Sequence, residues 1–493
     1  MVLWDNAVRE LSKEVQRDPM KKWESWTTRA SKWYVNETFR TVDPNWQGRK
    51  AMRESLSNAS LWWDEEAENY FLAKIEEVQY PINCSRVHLI GHRSWYGGML
   101  SNVHALAQPL LLAVMKGHTI VDIDRNDNTI DTLHTNDTTV LGWAALSHNY
   151  PTFFGCSPGF QNLNCFLNLT TCSPFDVENR LKEAGLNLID SSFPYVPWTA
   201  VLSNGEEFSS PGGVTVINDL RRVDWLDGIF TFSDVYNAGK VNLIHGMMEK
   251  GNVRVVNNAQ KEGYENVGTD FMLMSMINSW MLSKLSDRVK SIADKIMSRY
   301  TDEEGRPAWT PPVLTIHIRQ SDKTLEDPFW RANGRYRNAA EYIAPMKQLE
   351  GNFGFEWPTL FLMSDSGATL VDVAREINDC PGDFDPLSTY NSTAAARKDG
   401  KRLIIYDWTS DIHVIEKYGD HIHVPKEIKH DMEEHFLAAM YITQMISDYA
   451  IVTYSSNVGR FIGELLSAKH RIAMPAPVGP VATSLDGAWI VNL

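Results

Sequence analysis

The sequence lacks the motifs that announce several common chemistries. It has no C-x-x-C pair, no H-E-x-x-H, no Walker-type loop and no Ser-His-Asp order, so zinc-ribbon, thioredoxin-type, zincin and nucleotide-hydrolase readings are set aside. Long apolar runs are missing too. The longest, 105–115, contains Gln108 and Pro109 and is well short of the ~20 residues that span a bilayer. Met1-Val2-Leu3-Trp4-Asp5 does not read as a signal peptide, so any membrane anchor is expected to lie outside this sequence. Basic residues are outnumbered: 47 Lys and Arg face 62 Asp and Glu, a net charge of −15. That balance argues against a nucleic-acid partner held through backbone phosphates. It leaves room for a local basic pocket around one phosphorylated ligand.

What is present describes a globular chain. With 493 residues, 43% hydrophobic and 22% charged, it has length for two or three domains and the composition of a packed core. Cys156, Cys165 and Cys172 lie close together in the chain, Cys84 and Cys380 stand apart, and the pairing is open. Sequons at Asn36, Asn58, Asn136, Asn168 and Asn391 favour a lumenal location. The 17 tryptophans are many for this length; indole faces stack on sugars, but most are read as core residues.

The charged, Trp-rich first 80 residues carry helical patterns at 6–17 and 65–78, which read as a packing arm. From Arg86 the order becomes strand (87–90), Gly loop, helix (99–116, with Pro109 inside), then strand (119–123): a βαβ unit. Residues 124–230 are irregular, and 272–300 reads as one long helical stretch. After Pro311-Pro312 a second series alternates strands at 313–318, 359–363, 403–406 and 449–453 with helices. Such alternation means a parallel sheet wrapped by helices. The expected fold is α/β: two Rossmann-type lobes facing a cleft, 81–310 and 311–493, behind a helical N-terminal extension, 1–80.

In such folds ligands bind at the carboxyl ends of strands, and three loops there carry suitable residues. The first, 91–98, ends in Tyr96-Gly97-Gly98, where glycines let backbone N–H groups approach a phosphate; a plain tight turn explains it equally well. The second, 317–323, holds His317 and Arg319 at alternating strand positions, then Lys323. Arg offers a rigid, permanently charged fork for a pyrophosphate, against the alternative of a structural pair. The third, 454–460, holds Ser455, Ser456 and Asn457, which could cap a helix without any ligand. Carboxylates for proton transfer are Glu326, Asp327 and Asp365, the last equally suited to capping a helix. His421 and His423 share a strand face, but with no third ligand nearby they are read as non-metallic.

Together these loops resemble the α1,6-fucosyltransferase family, the enzymes of N-glycan core fucosylation and their rhizobial nodulation-factor relatives, which have a GT-B-type fold. His317-Ile318-Arg319-Gln320-Ser321-Asp322-Lys323 is similar to the family's H-V-R-R-T-D-K, and Tyr96-Gly97-Gly98-Met99-Leu100 to its Y-G-C-Q-L. Thr453-Tyr454-Ser455-Ser456-Asn457-Val458-Gly459-Arg460 resembles T-F-S-S-Q-V-C-R, and Ser484-Leu485-Asp486 the start of S-L-D-D. The resemblance, in order over residues 86–488, implies GDP-β-L-fucose as donor, inversion at the anomeric carbon and no metal or other cofactor. It implies that Arg319 holds the β-phosphate and His317 lies near the guanine. Gly97, Gly98, Ser455 and Ser456 would line the diphosphate, and Lys323 would stabilise the leaving phosphate. The family's general base falls on Asp327, beside Glu326, and Asp365 falls where the family also has an Asp.

Three features depart from that pattern. Gln320 replaces a second Arg, Met440 occupies the position of the guanine-binding Asp, and the sequence stops before a C-terminal β-barrel domain. The expected activity is transfer of L-fucose to an N-glycan core GlcNAc or a related oligosaccharide, in the Golgi lumen or secretory pathway. The expected partners are the nucleotide sugar and a glycan acceptor, with no nucleic acid and a second copy of the chain as a candidate. The rivals are a protein or polysaccharide O-fucosyltransferase and a catalytically silent glycan-binding protein on the same fold.

Overall fold

The structure is a computed structural model, and it describes residues 61–93, 99–123, 163, 166–186, 211–218, 243, 245–247, 249–250, 254–255, 265–301, 305–320, 328–353, 355–377, 402–406, 426–473 and 481–486. It is a mixed α/β protein with parallel sheets. The chain divides into two compact units: Trp63–Val253 with Lys284–Ser286, and Met1–Trp62 with Arg254–Ser283 and Asp287–Leu493.

The smaller unit carries α1 (Glu65–Gln79), β1 (Leu89–Arg93), α2 (Met99–Lys116), β2 (Thr119–Asp122), α3 (Pro174–Glu183) and β3 (Val214–Asn218). Its strands run parallel in the order β2-β1-β3. Helix α1 begins where the Asp64 carboxylate accepts the Ala67 N–H (3.0 Å), and Glu65, Glu66 and Glu68 complement the positive end of its dipole. Ala67, Phe71 and Ile75, spaced by four, bury one face. Helix α2 tolerates Pro109 and ends at Gly117, whose φ of 69° suits a residue without Cβ. Helix α3 opens with a capping box between Ser173 and Asp176 and with Pro174 in its first turn. Leu89, Val121, Val177, Leu181, Val214 and Val216 form the core.

Polar ties gather at the N-terminal ends of these strands. Arg180 donates to the carbonyls of Cys84, Val87 (2.8 Å) and Gly213 (3.3 Å), and His88 Nε2 meets Thr215 Oγ1 at 2.8 Å. A Cys84–Cys172 disulfide, with Cα atoms 5.6 Å apart, closes the same end.

The larger unit contains α4 (Glu265–Ser283), α5 (Asp287–Ser298), β4 (Val313–Ile318), α6 (Pro328–Asn333), α7 (Ala339–Phe353) and β5 (Thr359–Ser364). It continues with α8 (Gly367–Ile377), β6 (Leu403–Tyr406), α9 (Lys426–Ile446), β7 (Tyr449–Val452), α10 (Asn457–His470) and β8 (Ala482–Ser484). The five strands are parallel and ordered β8-β7-β4-β5-β6, so Leu314 lies between Leu360 and Tyr449. Counted along the chain this is the doubly wound order 3-2-1-4-5. Val313–Ile318 and Thr359–Ser364 are buried throughout, as strands covered on both faces must be. Ile316, Ile318, Tyr342, Leu362, Val373 and Ile451 belong to one core. A separate antiparallel sheet joins Leu61–Trp62 to Arg254–Val255 and Ile472–Ala473.

The N-terminal end of the five-stranded sheet is closed by buried charge. Arg402 pairs with Glu350 (2.8 Å), which also accepts the Trp357 N–H (2.9 Å), and Asp448 accepts the Val313 N–H (2.9 Å). Among the described residues no helix is long and apolar enough to cross a membrane.

Three sequence expectations change in detail. The helix at 65–79, grouped with an N-terminal extension, packs as part of the three-stranded unit because its Phe71 and Ile75 face is buried there. The stretch 272–300 is two helices, parted where 284–286 run beside 166–168: Asn168 N donates to Lys284 O (2.7 Å) and Ser286 N to Phe166 O (2.7 Å). The irregular stretch 124–230 supplies α3 and the third strand of the sheet.

Candidate functional site

In the doubly wound sheet, strand order reverses between β4 and β7. In open α/β sheets such a reversal marks the place where a ligand crevice forms, outside the carboxyl ends of the strands. The loops leaving β4, β5, β7 and β8 meet there, and their polar groups form a continuous chain.

The first link lies between β4 and β5. Arg319, one residue past β4, pairs through Nη1 with Asp365, one residue past β5. The second Asp365 oxygen accepts the Gln320 N–H at 2.8 Å, and Tyr342 Oη donates to Arg319 O at 3.3 Å. Asp365 is therefore committed to the arginine loop. The turn into α8 is served instead by Ser366, whose Oγ accepts the Thr369 N–H at 3.4 Å.

Gln320 and Arg337 carry the chain across the crevice. Gln320 Nε2 donates to Arg337 O (2.9 Å) while its Oε1 accepts from Thr369 Oγ1 (2.7 Å), so both ends of the amide are bound within the protein. Arg337, buried ahead of α7, donates through Nη2 to Leu485 O (3.3 Å) and lies over the Phe329 ring at 4.4 Å. Next to Leu485, Asp486 accepts the Tyr454 N–H (2.8 Å), the Ser455 N–H (3.2 Å) and the Ser484 hydroxyl (2.8 Å). The last strand thus clamps the loop that leaves β7.

Ser456 occupies the N-cap position of α10 yet makes no side-chain capping bond. Capping therefore does not account for its hydroxyl. Asn457 Oδ1 accepts instead from Arg460 Nη2 at 2.5 Å, holding a buried guanidinium against the first turn. Gly459 is required by contact, since a Cβ there would overlap Thr453 O, and its absence lets α10 abut the end of β7. The helix begins directly at the crevice, where its N–H groups and dipole favour an anion.

His317, at the penultimate position of β4, is buried. Burial pushes its pKa from 6.5 down to about 3; Asp365 works against the shift and Arg319 adds to it. It is a neutral imidazole at any physiological pH, able to donate or accept hydrogen bonds but carrying no charge.

Of the residues singled out in the sequence, His317, Arg319, Asp365, Ser455, Ser456 and Asn457 all lie at the carboxyl ends of β4, β5 and β7. Tyr96, Gly97, Gly98, Lys323, Glu326 and Asp327 lie outside the described residues, as do His421 and His423. Met440 is fully buried on α9, so this position serves packing. Sequence reasoning missed Arg337 and the clamping role of Asp486. Only the five-strand topology, which brings Leu485 beside the β4 loop, could have found Arg337. Chemically, the switch point brings the partly exposed Arg319 side chain and a helix N-terminus to neighbouring strand ends, a combination suited to a phosphorylated ligand. Among the described residues no three His, Cys, Asp or Glu side chains gather as a metal site. Compared with protein-family models and with curated proteins, the chain has no match.

Proposed function

We propose that the protein is an inverting glycosyltransferase of GT-B architecture, moving L-fucose from GDP-β-L-fucose to an N-glycan core GlcNAc or a related oligosaccharide. The observation that carries this reading is Arg319, held by Asp365 at the switch point of a doubly wound sheet, with the α10 N-terminus on the neighbouring strand. In this reading Arg319 binds the diphosphate, neutral His317 serves the base without a charge penalty, and Ser455, Ser456 and Asn457 border the phosphates. Tyr96, Gly97 and Gly98 are assigned to donor binding by the family resemblance. Asp327, or Glu326 beside it, takes the acceptor hydroxyl's proton as C1 is attacked and its bond to the phosphate breaks on the opposite face. Lys323 and Arg319 stabilise the charge left on GDP. The Cys84–Cys172 disulfide supports a place in the secretory pathway, since such bonds persist in oxidising compartments.

Donor and base are tested separately. GDP should raise the melting temperature by mass action, and UDP with manganese should not; the reverse result would reassign the donor. Asp327→Asn should lower turnover about 10² to 10⁴-fold with GDP binding nearly intact, and Glu326→Gln should do less. Near-normal turnover in both variants would remove this loop from proton transfer.

A further inference from the structure

Of the sequons named from the sequence, Asn168-Leu169-Thr170 lies among the described residues, and its surroundings are unusual. Asn168 is exposed between Leu167 and Leu169, which are 1% and 4% exposed. Its backbone is fixed on both sides: the N–H donates to Lys284 O at 2.7 Å, and the carbonyl accepts from Tyr80 Oη. Its carboxamide makes no hydrogen bond to any described residue. The protein thus holds the main chain rigidly and presents the one polar side chain to solvent.

The neighbouring structure points the same way. Residues 79–81 run beside 168–171, with Thr171 N donating to Gln79 O (3.3 Å) and Thr171 Oγ1 to Pro81 O (3.2 Å), and Cys172 is bridged to Cys84. Ile82, 106% exposed, directly follows Pro81 on the segment that runs beside 168–171. An apolar side chain left in water on the segment next to Asn168 is surface that a sugar ring can cover. A second sequon, Asn83-Cys84-Ser85, provides the contrast. There the Asn83 Oδ1 accepts both the Ser85 N–H (2.8 Å) and the Ser85 hydroxyl (2.7 Å), and the central residue is disulfide-bonded.

We infer that Asn168 is an N-glycosylation site of this protein and that Asn83 is not. The donor is an oligosaccharide carried on a polyisoprenyl diphosphate. Asn168 Nδ2 attacks the sugar's C1, the C1–O bond to the diphosphate breaks, the N–C1 bond forms, and one amide proton is lost as the lipid diphosphate departs. The inference rests on the secretory placement given above but not on the donor sugar or the reaction. The full chain is to be passed through the secretory pathway of a eukaryotic cell behind a cleavable leader. Peptides are then mapped by mass before and after enzymatic release of N-glycans, together with the disulfides. Glycan on Asn168, with Asn83 bare and Cys84 bound to Cys172, is the expected result, and Asn168→Gln should remove that glycan and lower the secreted yield. A secreted protein with the disulfide formed and Asn168 unmodified would overturn the site, as would modification of Asn83 in its place. Unchanged yield of Asn168→Gln would overturn the covering role of the glycan. Because GDP binding and turnover play no part, failure here leaves the fucosyl-transfer reading untouched, and the converse also holds.

Discussion

The five-stranded sheet carries an arginine–carboxylate pair at each end, and the two differ in exposure. At the N-terminal end Arg402 and Glu350 are 8% and 9% exposed, and Trp357 N and Met346 Sδ complete the cluster. At the C-terminal end Arg319 and Asp365 are 17% and 10% exposed, and the loops around them are bound to one another through Gln320, Arg337 and Asp486. A closed pair serves the fold, because nothing from outside can reach it. The pair at the switch point is the less buried of the two, at the strand ends where such sheets bind ligands. The proposed function gives the same chemistry two uses, structural at one end of the sheet and ligand-binding at the other.

That contrast can be broken by mutation. The largest effect is expected for Arg402→Ala, which strands a buried carboxylate and should cost about 3–5 kcal/mol of stability. Denaturant unfolding measures it, and GDP affinity of the folded fraction should be unchanged. Arg319→Ala should show the opposite pattern: a loss of roughly 1.5–3 kcal/mol in GDP affinity and of transfer activity, with a smaller loss of stability. Equal stability losses in the two variants, with GDP affinity retained in Arg319→Ala, would make both pairs structural.

A pH dependence is expected in both units. Burial lowers His317 to about 3 and, with help from His118 and Arg180, lowers His88 to about 4, both from 6.5. Between those values and 6.5 the unfolded chain binds more protons than the folded one, so stability rises with pH. The stabilisation is complete above 6.5 and is lost as pH falls through the depressed values. Unfolding midpoints at several pH values should therefore drop on the acid side, and His317→Gln or His88→Gln should flatten the slope. A slope unchanged in both variants would mean the two imidazoles are not held neutral.

Much of this architecture could be read from residue pattern. Val313–Ile318, Leu403–Tyr406 and Met99–Lys116 fall where apolar runs and periodicity put them, and even Pro109 sits inside its helix as expected. Buried parallel strands are continuous apolar runs, which is why they are legible. The strands Val214–Asn218 and Ala482–Ser484 were not read, being short and mixed with Thr, Asn and Ser. The helix Pro174–Glu183 was not read either, although Ser173-Pro174 and Asp176 spell a capping box. At the site, strand ends announced Arg319 and the serines. That Asp365 pairs with Arg319, neither capping α8 nor standing as a lone carboxylate, follows from pairing β4 with β5, and Arg337 depended on β8 lying two strands away. Such relations exist only once the sheet is assembled.

The strand order also has a consequence in time. The central strand β4 gains one neighbour soon after it is made, but its other flank waits for β7: the bond from Val313 N to Asp448 spans 135 positions. At 5–20 residues per second, a ribosome leaves that edge unpaired for roughly 7–27 s. During this interval the strand that will border the crevice is an open template for any other extended chain. The switch point is thus among the last parts of the larger unit to exist. A nascent chain released or stalled before β7 would present an aggregation-prone edge where the finished protein has its candidate site.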